Sequence, residues 1–136
     1  MKALGLASIV AGLLAATVPV VAHHSFSAQY DVNKQVSLKG VVTRVEWTNP
    51  HARFYLDVRD AKGALTNWNL ELASPNVLRR NGWTRASLNQ GDEVTVDGTA
   101  ARDGSKVANA RLITLADGRQ ISGGSLGGEA TPPATR

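Results

Sequence analysis

The chain has 136 residues, a formal net charge of +4 and no cysteine. That length suits one domain with a modest core, and the lack of cysteine excludes disulfides, thiolate metal sites and a lipid-modified N-terminal cysteine. Charges of both signs are scattered, without the clustered basic face of a nucleic-acid binder, so the positive excess points only to contact with anionic surfaces.

Met1-Lys2 precedes a weakly polar to apolar run over residues 3–22 that ends in small residues. One positive charge, an apolar stretch and a small-residue site are the layout of a secretory signal. The expected cut follows Ala22, with Val20 and Ala22 at the positions a signal peptidase reads; a cut after Ala16 is the alternative. A retained anchor competes with cleavage, because the run approaches the roughly 20 residues that span a bilayer. Gly5, Gly12, Thr17 and Pro19 dilute it, so cleavage of residues 1–22 is expected. The mature chain is then periplasmic or secreted, without a membrane span.

Residues 23–35 show no sustained period and read as an extended arm anchored by Phe26 and Tyr30. Residues 36–47 read as a strand whose apolar parity flips: Val36 and Leu38 share one side, Val41, Val45 and Trp47 the other, with Gly40 at the change. A glycine at such a flip marks a bulge or bend. After the turn at Thr48-Asn49-Pro50, Ala52, Phe54, Leu56 and Val58 alternate with Arg53, Tyr55, Asp57 and Arg59, the pattern of a half-buried strand. A hairpin turn at 60–63 leads to a third strand with Trp68, Leu70 and Leu72 on one side and Asn67, Asn69 and Glu71 on the other.

Ser74-Pro75 reads as an N-cap followed by proline in the first turn, opening a helix of about two turns that stops at Gly82. Trp83 and Leu88 are expected beneath it. Val94 and Val96 mark a fourth strand, residues 102–105 a hairpin tip, and Ala108, Ala110 and Leu112 one side of a fifth strand with Ile113 and Leu115 on its reverse. Ile121 belongs to a short extra strand, and residues 122–136 read as a flexible tail. Three strands, one short helix and two strands is the element order of an OB-fold. The expected fold is therefore mainly β, a five-stranded OB-like Greek-key barrel over residues 36–121 with one short helix between strands three and four. An open antiparallel sheet with the helix on one side is the alternative.

Ala22-His23-His24-Ser25-Phe26, Tyr30-Asp31, the segment 40–47, Asn49-Pro50-His51-Ala52, Ser74-Pro75-Asn76, Gly82-Trp83 and Gly91-Asp92 together resemble a family of small exported bacterial proteins classed as a domain of unknown function. The resemblance covers roughly residues 23–121. It implies a periplasmic setting and an OB-like barrel, and supplies no reaction, substrate or cofactor.

The chain has three histidines, His23, His24 and His51. Cleavage after Ala22 makes His23 the first residue, whose free α-amine and imidazole can close a chelate ring on one metal ion. These groups ordinarily titrate near ~7.7–8.0 and ~6.5, so a metal displaces their protons at neutral pH. A second imidazole, His51, completes a three-nitrogen set resembling the histidine brace of some exported copper proteins, and such nitrogen ligands favour Cu(II). His24 offers a second mode through amine, amide and ring. Asp31 and Glu46 are candidate carboxylates to orient these rings. The plain alternative is a frayed terminus and a turn histidine without function.

No catalytic residues are identified: there is no cysteine, no Gly-x-Ser-x-Gly elbow, and the acids, Glu71 among them, read as solvated strand or turn positions. A small enzyme ranks below two binding readings. One is a copper or other divalent-metal module using His23, His24 and His51. The other is a non-metal module whose face of Arg53, Tyr55 and Arg59, with Asn67 and Asn69, takes an envelope protein or a small ligand.

Overall fold

A computed structural model describes residues 26–124. The signal segment, His23, His24 and the end of the tail lie outside the described residues. Residues 26–29 form one helical turn. They are followed by β1 (Tyr30–Glu46), β2 (Arg53–Arg59), β3 (Leu65–Glu71), α1 (Pro75–Arg80), β4 (Glu93–Ala101), β5 (Val107–Leu115) and β6 (Gln120–Ser122).

The strands hydrogen-bond in the order β3-β2-β1-β4-β5-β6, and β3 also pairs with β5 in parallel from Asn69↔Val107 to Glu71↔Asn109. That last contact closes β1, β2, β3, β5 and β4 into a ring. The long β1 makes closure possible, pairing with β4 through its first half and with β2 through its second. A five-stranded ring closed by a parallel β3–β5 contact, with one short helix between β3 and β4, is an OB-fold barrel. β6 adds a short antiparallel strand beside β5.

Alternation places Phe54 and Leu56 of β2, and Leu70 of β3, wholly inside, where they meet Leu72, Leu78 and Ile113. Two irregularities differ from the simple parity reading. The flip in β1 comes at Thr43 rather than Gly40: Val42 pairs with Leu56 and Arg44 with Tyr55, so Thr43 is the extra residue of a bulge. Leu38 and Val42 therefore point inward, Val41 is 44% exposed, and Val45 and Trp47 return to the core after the bulge. In β5 the extra residue is Arg111, between Ala110↔Gly98 and Leu112↔Asp97. It turns Ile113 inward beside Ala108 and Ala110, and leaves Leu112 only half-buried.

Helix α1 starts as its residues dictate, with Ser74 Oγ accepting from the Val77 N–H at 3.3 Å and Pro75 in the first turn. Trp83 and Leu88 are buried in the core beside Leu78. The chain remains packed beyond Ser122, the expected start of the tail: Gly123 donates to Arg111 O and accepts from the Ala73 N–H. The Trp83 indole N–H donates to Ser122 O at 2.8 Å. Trp83→Phe is expected to lower stability by about 1 kcal/mol, the net worth of a buried hydrogen bond plus a small packing loss, as a reduced urea midpoint at unchanged m-value. Among the described residues, no helix is long and apolar enough to cross a membrane.

Candidate functional site

His51 sits in the loop that joins β1 to β2. Thr48 Oγ1 donates to His51 O at 3.1 Å, while Ala52 exchanges backbone hydrogen bonds with Leu72 and Ala73. These contacts hold the loop against the end of β3. His51 has the parity of Arg53, and Arg53 lies directly across the ladder from Glu71, so all three side chains meet on the outer side of the β2–β3 pair.

Glu71 is the centre of this group. It is 3% exposed, yet its neighbours Leu70 and Leu72 occupy the barrel core, so it is buried on the opposite face of its strand. Its Oε2 accepts from Arg53 Nη2 at 2.6 Å, and its Oε1 lies 3.3 Å from His51 Nδ1. Arg53 Nη1 also donates to Asn69 Oδ1 at 3.1 Å. A carboxylate this deeply buried is tolerated only with such partners. Nδ1 facing Glu71 leaves Nε2, across the ring, directed away from the carboxylate; the His51 side chain is 29% exposed.

Tyr30 covers Glu71. It is buried but stands apart from the barrel core, and its ring stacks against Phe26 at a centroid distance of 5.0 Å. Burial pushes the Tyr30 phenol far above its ordinary value, and the nearby Glu71 carboxylate adds to the effect while Arg53 opposes it. The hydroxyl lies close enough to feel Glu71 but completes no hydrogen bond of good geometry among the described residues.

Glu71 is thus not a solvated strand residue. Its parity was legible, but its burial was not, because that is set by the side chains packed around it from other segments. A carboxylate opposite Arg53, in the hairpin that follows His51, was the available signal. Asp31 and Glu46 have other partners: Asp31 Oδ1 accepts from the Asn33 N–H, and Glu46 accepts from Tyr55 OH and pairs with Arg44. Among the described residues, no three His, Cys, Asp or Glu side chains stand close enough to hold a metal ion by themselves.

The three residues of the polar face each have a partner of their own. Arg53 is bound to Glu71 and Asn69. Tyr55 lies under the Arg44 guanidinium, 4.0 Å from the ring centroid. Arg59 donates to Gly63 O in the β2–β3 turn, at the far end of the strand. Trp47 and Trp68 pack against the core, and Trp47 meets Trp83 edge-on at 6.1 Å.

The sequence matches the model of a family of unknown function, DUF6152, over residues 10–110. The chain belongs to DUF6152. The matched span of this DUF6152 member includes all three histidines and Glu71. No curated protein matches it. Among solved structures, the mitochondrial single-stranded DNA-binding protein Rim1 of S. cerevisiae is similar with a TM-score of 0.48 and 13% identity, over 61% of this chain and 93% of that one.

Proposed function

We propose that this DUF6152 protein is an exported binding module of the cell envelope that holds one divalent metal ion, preferably Cu(II), between His51 and the histidines of its mature N-terminus. The observation that carries this reading is the contact between His51 Nδ1 and the buried Glu71 carboxylate. Histidines that ligate metals characteristically give their other ring nitrogen to a carboxylate, which fixes tautomer and orientation and raises ligand basicity. Here that support leaves Nε2 as the ligating atom.

His51 is one ligand of an incomplete set, and the N-terminus supplies the rest. Phe26 packs on Tyr30, and Tyr30 lies near Glu71, so the start of the arm is near the carboxylate that faces His51. His23 precedes Phe26 by three residues, a reach of at most about 11 Å for an extended chain. The amine and ring of His23 with His51 Nε2 make a three-nitrogen set suited to tetragonal Cu(II); His24 offers a substitute ring.

The test is calorimetric titration with Cu(II) of protein recovered after natural export, its N-terminus established by intact mass. One tight equivalent is expected. His51→Ala, or one residue added before His23, is expected to weaken it by more than the roughly 10–100-fold typical of losing an outer-shell partner. Weak binding indifferent to both changes refutes the reading, and a mature chain starting elsewhere than His23 refutes the amine-chelate form of it. The second reading, a partner protein or small ligand on the outer β2–β3 face, draws on the ordered Arg44–Tyr55 stack. It requires Tyr55→Ala to abolish a cellular phenotype that His51→Ala leaves intact.

A further inference from the structure

We propose that the surface formed by α1, the connector from α1 to β4 and Trp47 docks the protein onto an anionic phospholipid bilayer. The proposal uses none of the residues of the metal site and stands or falls apart from it.

Between Glu71 and Asp92 the chain carries no acidic residue, while Arg79, Arg80 and Arg85 all fall there. All three are exposed, and among the described residues none of them forms an ion pair. Arg79 Nη1 donates to a neutral group, Asn76 Oδ1, at 3.3 Å. A tight turn gathers the three: the Gly82 N–H donates to Arg79 O and the Trp83 N–H to Leu78 O, both at 3.0 Å, with Gly82 at φ +87°. Trp83 fixes that turn in the core, edge-on to Trp47. The chain re-emerges at Arg85, whose guanidinium stands 5.9 Å from the Trp47 ring centroid. Trp47 is itself half-buried. Two segments distant in sequence thus set exposed arginines around an amphipathic indole ring.

Helix chemistry accounts for only part of this charge. Arg79 and Arg80 complement the carbonyl end of α1, but Arg85 lies beyond the helix. Cations on the strands have acidic partners, Lys39 with Glu93 and Arg53 with Glu71. Lipid headgroups supply what the arginines lack, because guanidinium forks bind phosphate oxygens through parallel hydrogen bonds. Tryptophan is enriched where headgroups meet acyl chains. An anionic polymer in solution engages the arginines and leaves the ring no apolar phase to enter. Beyond the arginines the surface changes sign: Ala86 and Ser87 border a shallow cavity lined by Asp92, Glu93 and Asp117. An anionic bilayer repels that side, so the charge pattern also sets the orientation.

The test is sedimentation of the whole protein with vesicles of equal parts phosphatidylglycerol and phosphatidylcholine, against vesicles of phosphatidylcholine alone. Binding to the anionic vesicles is expected at about 0.01 M salt and its loss at about 1 M, as the screening length falls from about 30 Å to about 3 Å. Arg80→Ala and Arg85→Ala are each expected to weaken binding about fivefold. Lys62→Ala removes the same charge from the exposed β2–β3 turn and is expected to change binding less than about twofold. Brominated acyl chains are expected to quench tryptophan emission, and Trp47→Phe to remove most of that quenching. Failure to bind the anionic vesicles, whether or not the soluble polyanion dextran sulfate binds, overturns the bilayer assignment. So does equal binding to the neutral vesicles, or a loss in Lys62→Ala equal to that in Arg80→Ala. Quenching that survives Trp47→Phe in full overturns the part given to the ring. No Cu(II) enters the assay, so a negative result leaves the metal reading standing.

Discussion

Arg53→Ala is expected to destabilise the fold by about 3 kcal/mol, far more than an ordinary surface substitution. Arg53 is 28% exposed, but its partner is not: Glu71 is 3% exposed and receives its shortest hydrogen bond, 2.6 Å, from Arg53. Removing the guanidinium leaves a buried carboxylate facing His51 and the Tyr30 hydroxyl alone. Removing one member of a buried pair costs about 3–5 kcal/mol, because the remaining charge is uncompensated; partial solvent access at Arg53 places the expectation at the low end. Urea denaturation measures the loss. The companion variant Arg53→Ala/Glu71→Gln keeps the side-chain shape without the charge and is expected to return to within about 1 kcal/mol of the unaltered protein. A loss below about 1 kcal/mol in the single variant contradicts the idea that this pair holds the cluster together.

Gly40→Ala is the second large effect, expected at about 3 kcal/mol or more. Gly40 lies where β1 passes from one neighbour to the other, pairing with Val58 of β2 and Val94 of β4 at once. A Cβ at this position falls against the backbone carbonyl oxygen of Asp57, far inside van der Waals contact, with the Asp57 carbonyl carbon and Leu56 Cγ close behind. A backbone atom inside a ladder cannot step aside as a flexible side chain does, so relief requires moving β2 relative to β1. Gly63→Ala is the control. Gly63 sits in the β2–β3 turn at φ +85° with open space around it, so only the left-handed conformation penalises a methyl group there, about 1 kcal/mol. Equal losses in the two variants, measured by the same denaturation assay, rule out close strand approach as the reason for glycine at position 40.

The type and order of the elements were legible in the residues, because each rests on local chemistry. Strict alternation from Ala52 to Arg59 specifies a strand with one buried side. Ser74-Pro75 specifies a helix start through one side-chain hydrogen bond and a missing N–H. His51, beside Pro50 and before a strand, was legible as a loop histidine. What only the tertiary structure decided depends on contacts between distant segments. The bulges at Thr43 and Arg111 follow from the register of β1 on β2 and of β5 on β4, and a one-residue shift reverses every later side chain. That is why Val41 faces solvent and Ile113 the core. Parity placed Glu71 on the outer face, where a carboxylate is ordinarily solvated. In the fold Glu71 is buried, and Arg53 and His51 supply the partners that a buried carboxylate requires. Local periodicity tells which side of a strand a residue occupies, but burial and hydrogen-bond partners are set by whatever the rest of the chain lays over that side.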